Sequence, residues 1–147
     1  MQNLKILQLN VDGLGKKIEE IKNLIFEESL DILCLTETKL TKNISNSRVQ
    51  VQGYDFLRLD RKHKMGGGLL VYYKKSYNIY QIEHKSEDTK GCECLIFSVK
   101  LGTKEDAIFI LAYRPPNENK SVFLETLDHF FFHYIVGRII ISVYLVT

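Results

Sequence analysis

The sequence is poor in the residues that mark fibrous, disordered or cross-linked proteins. Only two prolines and nine glycines occur among the 147 residues, which excludes a collagen-like or low-complexity chain. The three cysteines, Cys34, Cys92 and Cys94, are an odd number and match no Cys-x-x-Cys spacing, so we expect reduced thiols in an intracellular protein of the nucleus or cytoplasm. With 45% hydrophobic and 26% charged residues, the composition is that of one ordinary globular domain.

Strong charge imbalance and long hydrophobic runs are also missing. The 20 Lys and Arg against 18 Asp and Glu leave a net charge of +2, too small for a dedicated non-specific nucleic-acid binder. The first ten residues include Asn, Lys and Gln, unlike a secretory signal. Residues 130–147 hold 13 apolar residues, but Arg138 divides them into two short pieces, whereas a membrane span needs about 20. We therefore expect a buried strand after Arg138 and no membrane partner.

Hydrophobic periodicity predicts a strand–helix–strand unit at the start of the chain. Residues 4–10 and 31–36 are short apolar runs typical of buried strands. Between them, apolar residues recur at three- and four-residue steps over residues 14–25, which predicts an amphipathic helix. Such a unit sets its two strands side by side in parallel, with their carboxyl ends at one edge of the sheet. Asn10 and Glu37 lie at those ends.

The remainder is predicted as strands followed by one helix. Short turns separate five strand-like runs, which favours an antiparallel meander: residues 54–59, 68–73, 77–83, 95–100 and 107–113. Ser121 is predicted to cap a helix over residues 122–131, with Leu124 and Leu127 facing inward. The chain therefore has a mixed α/β architecture.

Taken one at a time, the polar residues at these strand ends have ordinary structural explanations. Asn10 suits a turn in which its side chain bonds locally, and Tyr113 suits a half-buried strand aromatic. A lone Glu37 is typical of a solvated or capping carboxylate. The glycine triplet 66–68 has no phosphate-loop sequence around it, so it predicts a bend at a strand entry or a close backbone approach.

The other groups that could bind metal or phosphate give weak signals. Cys92 and Cys94 would lie on one face of a strand, but two ligands do not make a zinc site. No histidine is spaced as a metal ligand relative to another His or Cys on a predicted face. We therefore expect surface or packing roles for His63, His84, His129 and His133. A small basic cluster could contact phosphates or form a solvated loop: Arg58, Arg61, Lys62, His63 and Lys64.

Four short motifs occur in a fixed order, however, and together they are specific. They are residues 10–14 (NVDGL), 36–40 (TETKL), 60–69 (DRKHKMGGGL) and 113–116 (YRPP). In this order the sequence resembles the endonuclease/exonuclease/phosphatase superfamily. It is most similar to the apurinic-endonuclease-like domain of non-LTR retrotransposon polyproteins.

The resemblance implies a fold, an activity and a site. The fold would be the front half of a DNase I-like four-layered α/β sandwich, with mixed sheets flanked by helices. The activity would be Mg²⁺-dependent hydrolysis of DNA phosphodiesters, with Mn²⁺ as a possible substitute. Glu37 would bind the metal, since Mg²⁺ uses one or two carboxylates plus water and substrate oxygens. Asn10 would help position the metal or phosphate, and Tyr113 would orient the scissile phosphate.

The sequence departs from the family pattern near its end. Where the family has Gly-Asp-Phe-Asn, residues 137–140 are GRII, and a Ser-Asp-His motif has no counterpart. We predict that residues 1–137 are the N-terminal part of such a domain and residues 138–147 a divergent apolar tail. A truncated phosphodiesterase inactive by itself and a non-catalytic remnant with at most residual nucleic-acid binding both fit. The substrate, abasic or intact DNA or a small phosphoester, and the oligomeric state stay open.

Overall fold

A computed structural model describes residues 3–62, 65–102, 106–134 and 139–146. The chain forms two compact units, Met1–Tyr77 and Asn78–Thr147. Each unit contains one four-stranded sheet with a helix packed on it, so the predicted α/β class is confirmed. Among the described residues, no helix combines the length and the apolar character that crossing a bilayer would require.

The first unit begins with the predicted strand–helix–strand arrangement. Strand β1 (Ile6–Asn10) and strand β2 (Ile32–Thr36) pair in parallel, with Asn10 opposite Thr36, and helix α1 (Ile18–Glu27) connects them. Ile21 and Ile25 of α1 lie in one buried cluster with leucines of β2, because the three- and four-residue spacing gives the helix a single apolar face. All five positions of β2 are buried, which explains its continuous apolar sequence.

Two more strands complete the first sheet. A short helix α2 (Asn46–Val49) precedes strand β3 (Tyr54–Leu59), and strand β4 (Leu69–Lys74) follows. The strand order is β1-β2-β4-β3, with β4 antiparallel to both of its neighbours. The antiparallel pairing expected of β3 and β4 is therefore confirmed, but their continuation into one meander with the later strands is wrong, because both belong to the first sheet. A local pattern specifies a strand but not the sheet that it joins.

The second unit contains the meander. Strands β5 (Ile79–Ile82), β6 (Glu93–Lys100) and β7 (Asp106–Arg114) pair in sequence as antiparallel neighbours. Strand β8 (Ile139–Val146) lies parallel to β7 at the edge, which confirms the strand predicted after Arg138. A 3₁₀-helix (Ser86–Thr89) connects β5 to β6.

Helix α3 (Lys120–Tyr134) connects β7 to β8 and corrects two predictions. The side-chain oxygen of Asn119, not Ser121, accepts the cap hydrogen bond, from the Ser121 amide at 2.8 Å. Leu127 is buried as predicted, but Leu124 is 59% exposed. Phe123 is buried in its place, because the inward stripe of α3 runs through Phe123, Leu127 and Phe130 at four- and three-residue steps.

Some predictions fall on residues outside the described ranges. His63 and Lys64 of the basic cluster are among them, as are Gly137 and Arg138 at the proposed boundary of the apolar tail.

Candidate active site at the edge of the first sheet

Three loops meet where β1 and β2 end and β4 begins. Asn10 ends β1 opposite Thr36, and Thr36 ends β2 opposite Leu69, the first residue of antiparallel β4. The loop that carries Glu37 therefore lies between the loop that follows Asn10 and the glycine triplet that precedes Leu69. The parallel pairing predicted from the sequence is what brings Asn10 and Glu37 to the same edge.

Backbone hydrogen bonds attach the Glu37 loop to the loop after β1. The Glu37 carbonyl accepts from the Gly13 amide and the Thr38 carbonyl from the Leu14 amide, both at 2.8 Å. These bonds continue the β1–β2 pairing beyond the strands. They fix the path of the backbone immediately after the Glu37 side chain.

The glycine triplet holds the opposite side of the same loop. The amides of Thr38 and Lys39 donate to the carbonyls of Gly68 and Gly67, at 3.2 and 2.7 Å. Gly68 has φ +94°, and a Cβ there would overlap Thr38 Oγ1. Only glycine fits this contact, so the predicted close backbone approach is confirmed.

Three charged residues at this edge have left-handed backbone conformations. Their φ angles are +44° at Asp12, +53° at Glu37 and +52° at Lys39. Each such non-glycine residue costs about 1–2 kcal/mol, and strain of this kind is concentrated at functional sites. The strained backbone therefore marks this edge as the best candidate for chemistry in the first unit.

An ion pair that the sequence did not reveal joins two of these residues. Lys39 Nζ donates to Asp12 Oδ1, although the residues are 27 positions apart. The hydrogen bond and charge of Lys39 lower the pKa of the Asp12 carboxyl. Asp12 in turn raises the pKa of Lys39, with a smaller contribution from the charge of Glu37. The edge thus has two carboxylates and one ammonium group close together.

Asn10 takes part in the turn that its sequence position suggested. Its side-chain oxygen accepts a hydrogen bond from the Asp12 amide at 3.0 Å. This bond orients the carboxamide and leaves its NH₂ group as the donor that could face a ligand. The metal- or phosphate-positioning role of Asn10 stays a prediction.

Tyr113 lies in the other unit, near the end of β7. It is 2% exposed, more buried than the half-buried strand aromatic that the sequence suggested. The adjacent Arg114 has a structural role, since its guanidinium donates to the Glu118 carbonyl at 2.6 Å and closes the turn after β7. The phosphate-orienting role of Tyr113 stays a prediction.

Part of the basic cluster is also structural. Arg58 is paired with Asp60 at 2.8 Å and donates to the carbonyls of Ile44 and Thr41, at 2.8 Å each. These contacts join β3 to the segment before α2. These contacts use the guanidinium of Arg58 to hold the fold together, which favours a structural role for Arg58 over phosphate binding.

The donor atoms at the edge suit a hard cation held by few protein ligands. In the described ranges, no group of three or more His, Cys, Asp or Glu side chains converges on one point. Mg²⁺ needs only one or two carboxylates, because water and phosphate oxygens complete its shell, so Glu37 and Asp12 fit it. The three cysteines are buried, and burial raises the pKa of Cys34 to about 12 and that of Cys92 to about 11, so these thiols are protonated at neutral pH.

The fold is similar to that of several solved nucleases and phosphatases. The endonuclease domain of TRAS1, a telomere-specific non-LTR retrotransposon, matches with a TM-score of 0.65 at 12% identity. An AP endonuclease from Archaeoglobus fulgidus matches with a TM-score of 0.64 at 19% identity. The 3′ phosphatase NExo from Neisseria, solved with a product DNA hairpin, matches with a TM-score of 0.55 at 19% identity. These similarities confirm the predicted DNase I-like endonuclease/exonuclease/phosphatase fold.

The chain spans about half the length of these structures. The matches cover 96%, 97% and 74% of this chain but 59%, 56% and 41% of the TRAS1, Archaeoglobus and Neisseria chains. No protein-family model matches the sequence, and no curated protein does.

Proposed function

We propose that this chain supplies the metal-binding and phosphate-positioning part of a DNA phosphodiesterase, derived from the endonuclease domain of a non-LTR retrotransposon. The observation that carries the proposal is the cluster of Asn10, Asp12, Glu37 and Lys39 on strained loops at one edge of the first sheet. The DNase I-like fold and the order of the four sequence motifs support it.

Each residue of the cluster has a role that its contacts allow. A bound Mg²⁺ or Mn²⁺ ion would neutralise charge that develops on the phosphoryl oxygens. Glu37 would bind the ion, with Asp12 as a second carboxylate held in place by Lys39. Asn10, whose oxygen is occupied by the Asp12 amide, would donate its NH₂ to a phosphate oxygen. Tyr113 would orient the phosphate through its hydroxyl group.

A non-catalytic remnant is the second candidate, because residues 137–140 are GRII where the family pattern has Gly-Asp-Phe-Asn. The 147 residues contain neither a Gly-Asp-Phe-Asn nor a Ser-Asp-His motif. Each positioned proton-transfer group contributes about 10²- to 10⁴-fold to the rate of a hydrolase. By itself the chain should then bind metal and nucleic acid weakly and hydrolyse DNA very slowly.

Calorimetric titration with Mn²⁺ and Mg²⁺ tests the metal site. We expect weak binding that is lost in Glu37→Gln, because a single neutralised carboxylate removes the main ligand. Glu20→Gln is the matched control, since Glu20 is an exposed glutamate of α1 in the same unit. Equal heats in both variants would contradict the proposed site.

Nicking of supercoiled plasmid in Mg²⁺ separates the two candidate functions. We expect no more nicking by this chain than by its Glu37→Gln variant. Nicking that survives purification, requires metal and disappears in Glu37→Gln would instead establish that this chain is catalytic alone.

A further inference from the structure

Two adjoining pockets open at the end of the first sheet that is far from Glu37. The Glu37 loop lies beside Leu69, the first residue of β4, whereas the pockets lie beside Lys74, its last residue. The six residues of β4 span about 17 Å. The pockets have volumes of about 440 and 600 Å³. We call them together the far cleft, and three residues line both of them: Phe26, Gln52 and Gly53.

An aromatic ring lines the far cleft without belonging to the core. Phe26, near the end of α1, is 54% exposed, and the buried cluster that contains Ile21 and Ile25 of the same helix does not include it. An edge-to-face contact with Tyr54 orients the ring, with centroids 6.2 Å apart and planes at 79°. A half-exposed ring that is held in this way offers a face on which a planar group can stack.

A glycine keeps the far cleft open beside this ring. Gly53 has φ +81°, and no described atom lies within 4 Å of the position that a Cβ would occupy. The Lys75 amide donates to the Gly53 carbonyl at 3.0 Å, which attaches the segment after β4 to the turn before β3. Backbone contacts thus form the walls of the far cleft before any ligand binds.

The charged side chains that line the far cleft are positive. Lys22 precedes the aromatic residue by one helical turn, and Lys75 is exposed on the opposite wall. None of the described residues that line either pocket is acidic. Two carboxylates pair with lysines of the lining, Glu19 with Lys22 at 3.0 Å and Asp31 with Lys74 at 2.8 Å. The lining therefore favours an anionic ligand, with Lys75 as the cation most accessible to it.

We propose that the far cleft binds a short stretch of single-stranded nucleic acid, with a base stacked on Phe26 and phosphates beside Lys22 and Lys75. Stacking on an aromatic ring and cations along the backbone are the two components of sequence-tolerant single-strand binding. The carboxamide of Gln52 carries both a donor and an acceptor for the edge of a base. An acidic peptide would use the lysines but has no base to stack on the ring. The inference does not depend on the proposed phosphodiesterase function, because it uses neither Glu37 nor a metal.

Fluorescence anisotropy with a labelled oligothymidylate of about 10 nucleotides tests the proposal. The full chain is titrated at low salt in EDTA, so that no metal contributes to binding. We expect the single strand to bind more tightly than a duplex of the same length, whose bases are already stacked. A labelled oligoglutamate should bind more weakly than the oligothymidylate, since it lacks the bases.

Variants of the ring separate stacking from general attraction. Phe26→Ala should weaken binding about fivefold or more. Phe26→Leu, which keeps an apolar contact with Tyr54, should show a similar loss, and Phe26→Tyr should show none. Phe132→Ala is the matched control and should leave the affinity unchanged, because Phe132 is an exposed aromatic residue of α3.

Salt dependence tests the phosphate contacts. For a single strand, each phosphate contact contributes about 0.7 to the slope of log affinity against log salt. Lys75→Gln should therefore reduce that slope by about 0.7, whereas Lys100→Gln, at an exposed position of the second unit, should leave it unchanged.

Three results would overturn the proposal. One is an affinity that both Phe26→Ala and Phe26→Leu leave unchanged in variants whose circular dichroism matches that of the wild type. Another is tighter binding of the duplex than of the single strand. The third is equal binding of the oligoglutamate with the same sensitivity to Lys75→Gln, which would make the far cleft a site for acidic peptides.

Discussion

At the scale of single residues, the candidate site depends on a backbone that is held in place before any ligand binds. Glu37 has a left-handed φ of +53°. Two hydrogen bonds maintain it: the Glu37 carbonyl accepts from the Gly13 amide, and the Thr38 amide donates to the Gly68 carbonyl. Strain of this kind persists only where the surroundings impose it. The contact between Gly68 and Thr38 is therefore the point at which the site is most sensitive to substitution.

Gly68→Ala should destabilise the protein by about 2–4 kcal/mol. The new Cβ would overlap Thr38 Oγ1, and φ +94° adds backbone strain. Urea unfolding monitored by circular dichroism measures the effect. Gly53→Ala separates the two causes, because Gly53 has φ +81° but open space around its missing Cβ, so only the strain of about 1–2 kcal/mol should appear.

A double-mutant cycle identifies the overlap itself. Thr38 Oγ1 is buried without a hydrogen-bond partner, so Thr38→Ala removes the obstacle without breaking a bond. Gly68→Ala should then cost at least about 1 kcal/mol less in the Thr38→Ala background than in the wild type. Strictly additive effects would show that the overlap does not account for the loss.

Asp31 should make the stability of the fold depend on acidity. Burial alone would raise the pKa of its carboxyl, but the Lys5 amide at 2.7 Å and Lys74 Nζ at 2.8 Å outweigh burial and lower it. The folded state thus favours the charged carboxylate of Asp31. Its contribution to the free energy of unfolding is fully present above the unfolded pKa of about 3.9 and is lost as the pH falls through the lower pKa of the folded state.

Asp31→Asn should therefore lower the free energy of unfolding by about 1–3 kcal/mol at pH 7. The variant should also lose less stability than the wild type when the pH falls below about 4. The free energy of unfolding measured in urea from pH 7 to pH 3 checks both effects. Asp128→Asn, at an exposed position of α3, is the control and should leave the curve unchanged. An Asp31→Asn curve parallel to the wild-type curve would contradict the assignment.

The residues of the site were partly predictable. Asn10 and Glu37 were placed at one edge because a strand–helix–strand unit aligns the ends of its strands, and that geometry follows from local periodicity. The pairing of Asp12 with Lys39 was not predictable, since the two residues are 27 positions apart and only the three-dimensional loop arrangement brings them together. The burial of Tyr113 was underestimated because it, too, depends on the three-dimensional arrangement and not on the local sequence.

At the scale of elements, periodicity identified most strands and both longer helices but not the phase of α3. The stretch from Val122 to Leu124 is uniformly apolar, as is that from Phe130 to Phe132, so several inward faces are compatible with the sequence. Packing against β6 and β7 selects Phe123 and Phe130 and leaves Leu124 and Phe132 exposed. Tertiary contact therefore decides what a local pattern leaves ambiguous.

The start of α3 can be tested directly. Asn119→Ala should destabilise the protein by about 1 kcal/mol, because it removes the oxygen that accepts from the Ser121 amide at the helix start. Ser121→Ala, two positions later, should change stability by less than about 0.5 kcal/mol. Chemical unfolding of the two variants side by side measures the difference, and the reverse order would restore Ser121 as the cap.

At the scale of the whole molecule, the residues to which we assign functional roles are distributed over both units. The first contains Asn10, Asp12, Glu37 and Lys39, and the second contains Tyr113. The matched stretches make up only 59%, 56% and 41% of the TRAS1, Archaeoglobus and Neisseria chains, which have the same fold. If metal placement and phosphate orientation reside here while proton transfer resides in segments that these 147 residues do not encode, neither part suffices alone.

A chimaera tests whether metal and phosphate positioning reside in this chain while proton transfer resides elsewhere. Residues 1–137 fused to the rear half of an active relative, with its Gly-Asp-Phe-Asn and Ser-Asp-His motifs, should nick supercoiled plasmid, because metal, phosphate and proton-transfer groups are then present together. Nicking should require Mg²⁺ or Mn²⁺, stop on chelation with EDTA, and fall at least about 10²-fold in Glu37→Gln, with Glu20→Gln as the neutral control. A folded chimaera that stays inert would show that the first 137 residues have lost the metal or phosphate function themselves. Activity that persists in Glu37→Gln would instead assign the metal to the grafted half.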